Sequence, residues 1–447
     1  MRTFSLVVFI GAFLSSCSSD VKPKNNSSIV FSDEFLSKAT IYEVNVRQYT
    51  DEGTFNAFAA YLPKLKELGV DILWFMPIHP IGKTNRKGTL GSYYSIRDYR
   101  GINPEFGTLE DFKSLVNAAH DLDMLVMIDL VAGHTSWDHP WVTAHPEWYL
   151  KDEQGNIIPP NPDWTDVAGL NFENQEMLQA LEDDMTYWVE EVGIDGYRCD
   201  AAYNISIPFW KKAIARLNAI KPVVMLAESD GNHKGGYPLI ELFHMSYDWP
   251  GHHVLNQIAK GNKKATDLAE HLLAVQKNYN PEHSVMTFTS NHDENSWNGT
   301  VFERLGAAAE LMAVVTYLVP GTPLIYSGQE YGLDKRLAFF EKDLIPKKES
   351  PFFALYKNLN TLKKSTDALD TGTNAADIQI LHQENEDVLA FSRTKGKDKL
   401  VFIANLSTVA QEVELQDDTL YADVFTGEQT QIRTQQLAPW AYKILKK

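Results

Sequence analysis

Short apolar runs alternate with amphipathic segments over most of the chain from Thr40 onward. An apolar run bounded by turn residues is typical of a buried strand, and apolar residues at helical spacing are typical of a covering helix. Regular alternation of the two predicts a parallel α/β fold, because helices cover both faces of a parallel sheet. The predicted strands are residues 41–45, 72–76, 125–130, 196–199, 223–227, 242–246, 284–289 and 323–326.

The segments between these runs predict helices. Apolar residues recur at helical spacing across residues 55–68, and Gly69 provides a C-terminal stop. Thr108 is suited to cap a helix that continues through Ala119. The remaining predicted helices are residues 175–192, 208–219, 265–276, 302–316 and 352–364.

The pattern divides the chain into a barrel, an excursion and a C-terminal domain. Residues 40–134 and 171–366 hold eight strand–helix units, which predicts an α/β fold of the (β/α)8 or TIM barrel type. Residues 135–170, after the third strand, are rich in Trp, Pro, Asp and His without sustained periodicity and predict a short excursion domain. Residues 367–447 lose helical spacing and predict an antiparallel β-sandwich, with strands at 388–393, 400–405, 411–415, 419–423 and 441–445.

The first 17 residues have the pattern of an export signal. An apolar run from Phe4 to Leu14 follows one basic residue and is too short to span a bilayer. It ends in Leu-Ser-Ser-Cys17, which resembles a bacterial lipobox. The resemblance implies cleavage before Cys17 and acylation of that cysteine; an ordinary secretory signal is the alternative.

Residue 18 is serine, and an aspartate there would favour retention in the inner membrane. The lipobox resemblance therefore implies the outer membrane of a Gram-negative bacterium, with the membrane face left open. Residues 18–39 predict a tether, since they include the polar stretch KPKNNSS.

Composition narrows the class of partner. With 44% hydrophobic and 11% aromatic residues, the chain of 447 residues has enough apolar side chains for a large core. A net charge of −18 argues against nucleic acid and favours a neutral substrate. The two cysteines, Cys17 and Cys199, make no disulfide framework if Cys17 is acylated.

Three carboxylates follow three of the predicted strands: Asp200, Glu228 and Asp293. The C-terminal ends of barrel strands meet at one face, so we expect these side chains to lie together. Retaining cleavage of a glycosidic bond needs one ionised carboxylate and one protonated carboxyl group beside the bond. The three carboxylates therefore predict acid/base and nucleophile chemistry on a sugar.

Neighbouring residues assign different roles to these carboxylates. Arg198 lies two residues before Asp200, on the same face of a strand, and its charge would keep Asp200 ionised. The apolar VVMLA before Glu228 would raise the pKa of that carboxyl group. His134 and His292 are placed to donate hydrogen bonds to hydroxyls of the sugar ring being cleaved.

The chain resembles the α-amylase family of glycoside hydrolases, family 13. The resemblance implies that Asp200 is the nucleophile, Glu228 the acid/base and Asp293 the transition-state stabiliser. It also implies that Tyr94 stacks on a sugar and that Arg198, His134 and His292 bind substrate. The motifs that carry the resemblance are DLVAGH at 129–134, GYRCD at 196–200, FTSNHD at 288–293, GSYYSIRDY at 91–99 and GTPLIYSGQE at 321–330, with Glu228 at the acid/base position.

Three positions depart from the family pattern. Gly133 stands where the family has an asparagine that binds structural calcium, and glycine has no side-chain oxygen for a hard cation. Gly169-Leu170-Asn171 replaces a motif that often ends in Asp-Leu-Asn, and Tyr203-Asn204 replaces a common Lys-His pair. These departures predict that no cofactor is required, although they leave the calcium site uncertain.

The leading hypothesis is a lipid-anchored retaining α-glucan hydrolase, an α-amylase, acting on α-1,4 bonds of starch-like polysaccharides or maltooligosaccharides. The alternatives are an α-glucosidase or neopullulanase of the same fold, and a glucanotransferase or trehalose synthase-like enzyme. A non-catalytic glucan-binding relative is disfavoured because all three carboxylates are present. The short excursion predicts an open cleft and endo-cleavage. The predicted partner is the α-glucan, with membrane contact only through the lipid anchor, and the sequence identifies no protein partner.

Overall fold

Residues 31–382, 384–415, 417 and 419–447 are described by the computed structural model of the protein. Eight parallel strands close into a barrel in sequential order, which confirms the predicted (β/α)8 fold. Most strand bounds agree with the apolar runs to within one or two residues. The strands are Ile41–Val44, Ile72–Phe75, Leu125–Leu130, Gly196–Cys199, Val224–Ala227, Met245–Tyr247, Ser284–Thr287 and Thr322–Tyr326.

The barrel interior is apolar towards the N-terminal ends of the strands and charged towards their C-terminal ends. Large apolar side chains fill the lower part, among them Trp74, Met127 and Leu226. The fourth strand contributes Gly196, where a Cβ atom would lie 1.8 Å from the carbonyl oxygen of Val224, so only glycine allows this approach to the fifth strand. The upper part, towards the C-terminal strand ends, holds the buried charges described below.

The covering helices follow the apolar periodicity. Thr108 caps the second predicted helix through a capping box with Asp111, as its position before an amphipathic run indicates. Gly69 ends the first predicted helical segment with a left-handed φ of 98°. The longer helices are Leu109–His120, Gln175–Tyr187, Ile207–Asn218, Trp249–Ala259, Ala265–Asn278 and Pro351–Ser365, of which Trp249–Ala259 was not predicted.

The helix predicted over residues 55–68 is two short helices, Phe55–Ala59 and Leu62–Leu68. Pro63 lies in the first turn of the second helix, where its missing N–H group leaves no carbonyl unpaired. A continuous helix would place the same proline in its interior, where proline breaks a backbone hydrogen bond. The first helix therefore ends before Pro63 and a second helix begins.

The helix predicted over residues 302–316 is also divided, into Val301–Leu305 and Ala309–Leu318. Gly306 lies between them with a positive φ of 53°, a conformation that no α-helix contains. Periodicity alone does not reveal such a break, because the apolar residues on both sides keep helical spacing.

The predicted tether, residues 18–39, is wrong at its C-terminal end. Asp33–Lys38 forms a helix capped by Ser32, and Phe31, Phe35 and Leu36 pack against the apolar interior at the N-terminal end of the barrel. The predicted signal peptide 1–17 and Cys17 lie outside the described residues. Within the described ranges no helix is both long and apolar enough to cross a membrane.

The excursion after the third strand is small and is bounded by a two-stranded antiparallel sheet. His134–Ser136 pairs with Val167–Gly169, which brings the two ends of the excursion together. A short helix, Pro140–Ala144, and a 3-10 turn, Pro146–Trp148, lie between them. The excursion thus stands over the C-terminal end of the third strand.

The C-terminal domain is a β-sandwich, as predicted. A six-stranded antiparallel sheet packs against a two-stranded one, and Val401, Ile403, Val413 and Leu437 lie in the shared core. The pattern did not predict strands 377–382, 429–431 and 434–437; polar residues predominate in the last two and make up half of the first. The strands are Asp377–His382, Val388–Lys395, Asp398–Asn405, Gln411–Glu414, Leu420–Asp423, Gln429–Gln431, Thr434–Leu437 and Tyr442–Lys446.

Candidate active site

Asp200 and Glu228 share one guanidinium group, that of Arg198. Arg198 Nη1 lies 2.8 Å from Asp200 Oδ1, and Nη2 lies 3.0 Å from Glu228 Oε2. The fourth and fifth strands pair Arg198 with Leu226, so the carboxylates two residues beyond each stand side by side. Both carboxylates keep a partly exposed edge, with side-chain exposures of 14% and 16%.

Arg198 lies beneath the site and does not line the cavity, in contrast to the prediction that it binds substrate. Its side chain is fully buried, Nη1 also donates to Asp129 Oδ1 at 2.9 Å, and Nε donates to Tyr247 Oη at 3.1 Å. The guanidinium also lies over the ring of Trp74, 5.2 Å from its centroid. Arg198 therefore positions and orients the carboxylates from below.

The backbone directly after Asp200 is bent so that it donates a hydrogen bond to Glu228. Ala201 has a positive φ of 42°, a conformation that costs a non-glycine residue about 1–2 kcal/mol. In this conformation its N–H group donates to Glu228 Oε2 at 2.7 Å. The strained turn therefore fixes the carboxyl group of Glu228 against the strand that carries Asp200.

Glu228 has the electrostatic environment of a proton donor. Burial raises the pKa of its carboxyl group to about 8, and the charges of Asp200 and Asp293 act in the same direction. Arg198 and the Ala201 N–H group oppose this rise without cancelling it. Glu228 is therefore protonated at neutral pH, as the apolar strand before it predicts.

Asp293 stands across the site beside a buried histidine. His292 Nε2 lies 3.3 Å from Asp293 Oδ2, and Nδ1 is hydrogen-bonded to Glu43 Oε1. Burial disfavours a charge on His292, but the two carboxylates raise its pKa to about 9. His292 is therefore an imidazolium that links Asp293 to Glu43, a residue of the first strand that the sequence analysis missed.

Tyr94 is held in place by a second missed carboxylate, Asp129. Tyr94 Oη donates to Asp129 Oδ2 at 3.0 Å and lies 2.7 Å from His292 Nε2. Its ring stacks on that of His292, with centroids 5.3 Å apart and planes at 19°. Burial raises the pKa of Asp129 to about 6 despite its contact with Arg198. Asp129 thus connects Tyr94 to the guanidinium under the nucleophile.

His134 lines the same cavity from the start of the excursion. Its Nε2 lies 3.1 Å from the backbone oxygen of Tyr94, and burial lowers its pKa. A neutral imidazole at this position donates to the Tyr94 carbonyl and so fixes the orientation of the ring. Six of the seven predicted site residues therefore line one cavity, and Arg198 lies beneath it.

The cavity has a volume of about 490 Å³ and an aromatic wall that the sequence analysis did not predict. Trp164 comes from the excursion, Trp297 follows the seventh strand, and Phe339 and Phe340 follow the eighth. Trp164 and Trp297 are 38% and 51% exposed, which is unusual for such large apolar side chains. Exposed aromatic rings beside hydroxyl-binding groups suit the apolar faces of sugar rings.

On the side of Glu228, the cavity is lined by Tyr203. The Tyr203 ring stacks on His233, with centroids 4.5 Å apart and planes at 13°. Tyr203, the first residue of the Tyr203-Asn204 departure, thus contributes an aromatic ring to this side of the cavity.

The junction between barrel and excursion does not fit the calcium ion of the family. Neither Gly133 nor Gly169 has a side-chain oxygen, and the Gly133 carbonyl accepts a hydrogen bond from Leu170 N at 3.2 Å. In the part of the chain that the structure describes, no three His, Cys, Asp or Glu side chains are grouped to hold a metal ion. That the protein requires no cofactor stays a prediction.

Comparison with known proteins shows the family to which the chain is related. The family described as "Alpha amylase, catalytic domain" matches residues 24–166 and 241–349, and "Maltogenic Amylase, C-terminal domain" matches residues 378–444. The structure of an α-amylase from Lactobacillus plantarum superposes with a TM-score of 0.85 at 31% identity, covering 93% of this chain and 100% of that one.

Two sequence relatives differ in activity. Alpha-amylase 3 of Dictyoglomus thermophilum is 23% identical over 88% of this chain and 90% of its own length. An α-1,4-glucan:maltose-1-phosphate maltosyltransferase of Rhodospirillum rubrum is 36% identical, but the match covers 45% of this chain and 33% of that protein. The catalytic-domain match extends over more than half of the chain. With the closed barrel and its carboxylate site, these matches show that the chain belongs to the α-amylase family.

Proposed function

We propose that the protein is a retaining α-glucan hydrolase that cleaves α-1,4-glucosidic bonds in starch-like polysaccharides or maltooligosaccharides. The supporting observation is that one guanidinium holds Asp200 and Glu228 together while the pKa of Glu228 is raised to about 8. Retention needs carboxyl groups about 5–5.5 Å apart, whereas inversion needs about 6.5–9.5 Å. Two carboxyl groups bound to the same guanidinium favour the shorter separation.

In the first step, an oxygen of Asp200 attacks the anomeric carbon. Glu228 gives its proton to the glycosidic oxygen, which leaves with the bonding electron pair. Positive charge develops on the sugar ring, and Asp293, on the opposite wall, stabilises it. The two N–H groups of the His292 imidazolium are directed at Glu43 and at Tyr94, so His292 orients the Tyr94 ring and places a positive charge beside Asp293.

In the second step, water replaces the departed sugar. Glu228, now ionised, takes a proton from the water, whose oxygen attacks the anomeric carbon and releases Asp200. Two inversions at that carbon give net retention. Both steps use the same pair of residues, with Glu228 as acid and then as base.

A second candidate is a transferase, in which a sugar hydroxyl replaces the water. The Tyr203–His233 pair favours it, since an aromatic surface beside Glu228 suits a sugar acceptor. The maltosyltransferase of Rhodospirillum rubrum is a transferase by name. Hydrolysis is the leading proposal because water competes for the same intermediate in every such site.

Product analysis on maltoheptaose separates the two candidates. We expect shorter maltooligosaccharides with one new reducing end per bond cleaved, since the cavity is open to water beside Glu228. Tyr203→Ala is expected to lower the share of transfer products further, about tenfold at high substrate concentration, because the acceptor loses its stacking surface.

Tyr203→Phe is the matched control, since it keeps the ring that stacks on His233 and removes only the hydroxyl group. Longer oligomers or trehalose as the main products would make the protein a transferase. If Tyr203→Ala left the ratio of transfer to hydrolysis products unchanged, this ring would not bind the acceptor.

We propose that the mature protein is anchored to the outer membrane through an acylated Cys17. The lipobox resemblance at Leu-Ser-Ser-Cys17 supports the anchor.

Cys17→Ser is expected to move the protein from the outer-membrane fraction to the soluble periplasmic fraction of a Gram-negative host, and to abolish palmitate incorporation. Without the thiol there is no acceptor for the lipid. Cys199→Ser is the control, because Cys199 is buried in the fourth strand and should leave the partition unchanged. Wild-type protein free of lipid would contradict the anchor.

A further inference from the structure

The two halves of a bound substrate are assigned to opposite sides of the cavity by the position of Glu228. Glu228 protonates the leaving oxygen, so the leaving half lies on its side, at the ends of the fourth and fifth strands. In an eight-stranded barrel these strands lie opposite the eighth and first. The glycosyl half, which ends at the non-reducing end, therefore extends towards Phe339 and Phe340, after the eighth strand.

Residues 82–91, which follow the second strand, run across this glycosyl side; we call them the strap. Lys87 Nζ donates to the backbone oxygen of Asp163 at 3.0 Å and lies 3.1 Å from Asp166 Oδ1. Both partners belong to the excursion domain. Lys87 also lines the cavity, and its side chain is about one third exposed.

The other end of the strap is joined to the loop after the eighth strand. Thr89 N donates to Glu341 Oε1 at 2.8 Å, and Leu90 N donates to Phe340 O at 3.0 Å. Gly88 packs so closely that a Cβ atom would lie 2.5 Å from the Cβ of Phe340. The strap therefore bridges the excursion and the eighth-strand loop in one continuous wall.

Internal contacts hold the strap in shape. The guanidinium of Arg86 donates to the backbone oxygens of Gly82, Ile81 and Thr89. Arg47, buried under the strap, donates to the oxygen of Gly91 at 3.1 Å. Because four carbonyl groups of the strap and its flank accept hydrogen bonds from Arg86 and Arg47, the strap keeps its position without a bound substrate.

We infer that the strap closes the glycosyl side of the cavity, so that the enzyme acts on non-reducing ends of glucan chains and on short maltooligosaccharides, with Lys87 as the specificity-determining residue. The inference rests on the proposed hydrolase function. Cleavage at chain ends replaces the endo-cleavage that the short excursion predicts. The excursion alone would leave the cleft open, but the strap joins it to the eighth-strand loop and completes the wall.

Lys87 is suited to recognise a chain end. An ammonium group has three N–H donors, and two of them serve Asp163 and Asp166. The third is available for a hydroxyl of the terminal sugar, which is present only where the chain ends. An internal glucosyl unit carries a further sugar in place of that hydroxyl. This additional sugar would clash with the ion pair between Lys87 and Asp166.

Maltoheptaosides with a free or an ethylidene-blocked non-reducing end test this inference. We expect wild-type kcat/KM for the blocked substrate to be at least about 100-fold lower than for the free one, because the block occupies the place of the terminal hydroxyls. Lys87→Ala removes the bridge and is expected to raise the ratio of blocked to free cleavage at least about tenfold. Products are quantified by chromatography, so every cleavage position is counted.

Lys83→Ala is the matched control, because Lys83 is an exposed lysine of the same strap that contacts Asp138 of the excursion through its backbone N–H group, which alanine keeps. Equal wild-type cleavage of the two substrates would overturn the closed glycosyl side. A Lys87→Ala variant with the wild-type ratio would overturn the role of Lys87. Inactivity on both substrates would overturn the proposed function, and this inference with it.

Discussion

Asp200→Asn is expected to lower kcat on soluble starch by about 10⁴-fold or more. Asparagine has nearly the same shape, but its amide is a poor nucleophile towards the anomeric carbon. Arg198 remains bound to Asp129 and Glu228, so the fold around the site is retained. The measurement is release of reducing ends, together with mass spectrometry after reaction with a 5-fluoro glycosyl fluoride, which should label Asp200 in the wild type only.

Asp163→Asn is the control for this variant. Asp163 is an exposed carboxylate beside the cavity that holds Lys87 through its backbone oxygen, so its side chain can change without loss of that bond. Its activity should equal that of the wild type. Near-normal activity of Asp200→Asn, or a label on another residue, would exclude Asp200 as the nucleophile.

The three carboxylates of the candidate site could be singled out from the sequence because each lies at or shortly after the C-terminal end of a predicted strand. In a parallel barrel the C-terminal ends of all strands meet at one face, so distance along the chain does not matter. Asp200, Glu228 and Asp293 are separated by many residues and still line one cavity. The strand pattern therefore predicted that these three side chains lie together.

Glu43 and Asp129 were missed although a physical signal was present. Each is a carboxylate within a strand whose other side chains are buried, and a buried charge needs a partner. The partners, His292 and Arg198, lie far away in sequence, so the pairing becomes visible only in the closed barrel. An acidic residue inside an apolar run is thus a signal for a charged layer at the top of a barrel.

The strap and the aromatic wall could not be predicted because they lie in loops. Lys87 and Phe340 have no periodicity around them, and their positions depend on bonds between loops that follow different strands. The helix Asp33–Lys38 was hidden by the polar residues before it, although Phe31, Phe35 and Leu36 are spaced to share one face. Average polarity is a weaker guide than the spacing of the few apolar residues.

The acid/base role of Glu228 predicts a specific pH dependence. Only the protonated carboxyl group can donate to the leaving oxygen, and burial raises the pKa of Glu228 to about 8. Wild-type kcat/KM on maltooligosaccharides should therefore be retained below that value and be lost as the pH rises through about 8. Because kcat/KM reports the ionisations of the free enzyme, this loss of activity at alkaline pH reflects Glu228 without bound substrate.

Glu228→Gln is expected to lower kcat/KM on soluble starch by about 10²–10⁴-fold and to remove the alkaline limb that Glu228 causes. On α-maltosyl fluoride the first step should survive, because fluoride leaves without a proton. The second step then lacks its general base, so the covalent intermediate on Asp200 accumulates. Added azide needs no base and should restore turnover of the fluoride, giving maltosyl azide of retained α configuration.

Azide separates the acid/base role from a merely structural one. A variant that is inactive because its site has collapsed would form no intermediate and would not respond to azide. Asp200→Asn provides the matched comparison, since it lacks the nucleophile and should give neither an intermediate nor retained azide product. If Glu228→Gln kept starch activity, or if azide gave inverted product, another group would be the proton donor. Rescue in Glu228→Gln alone would assign donation and attack to two separate carboxylates held by Arg198.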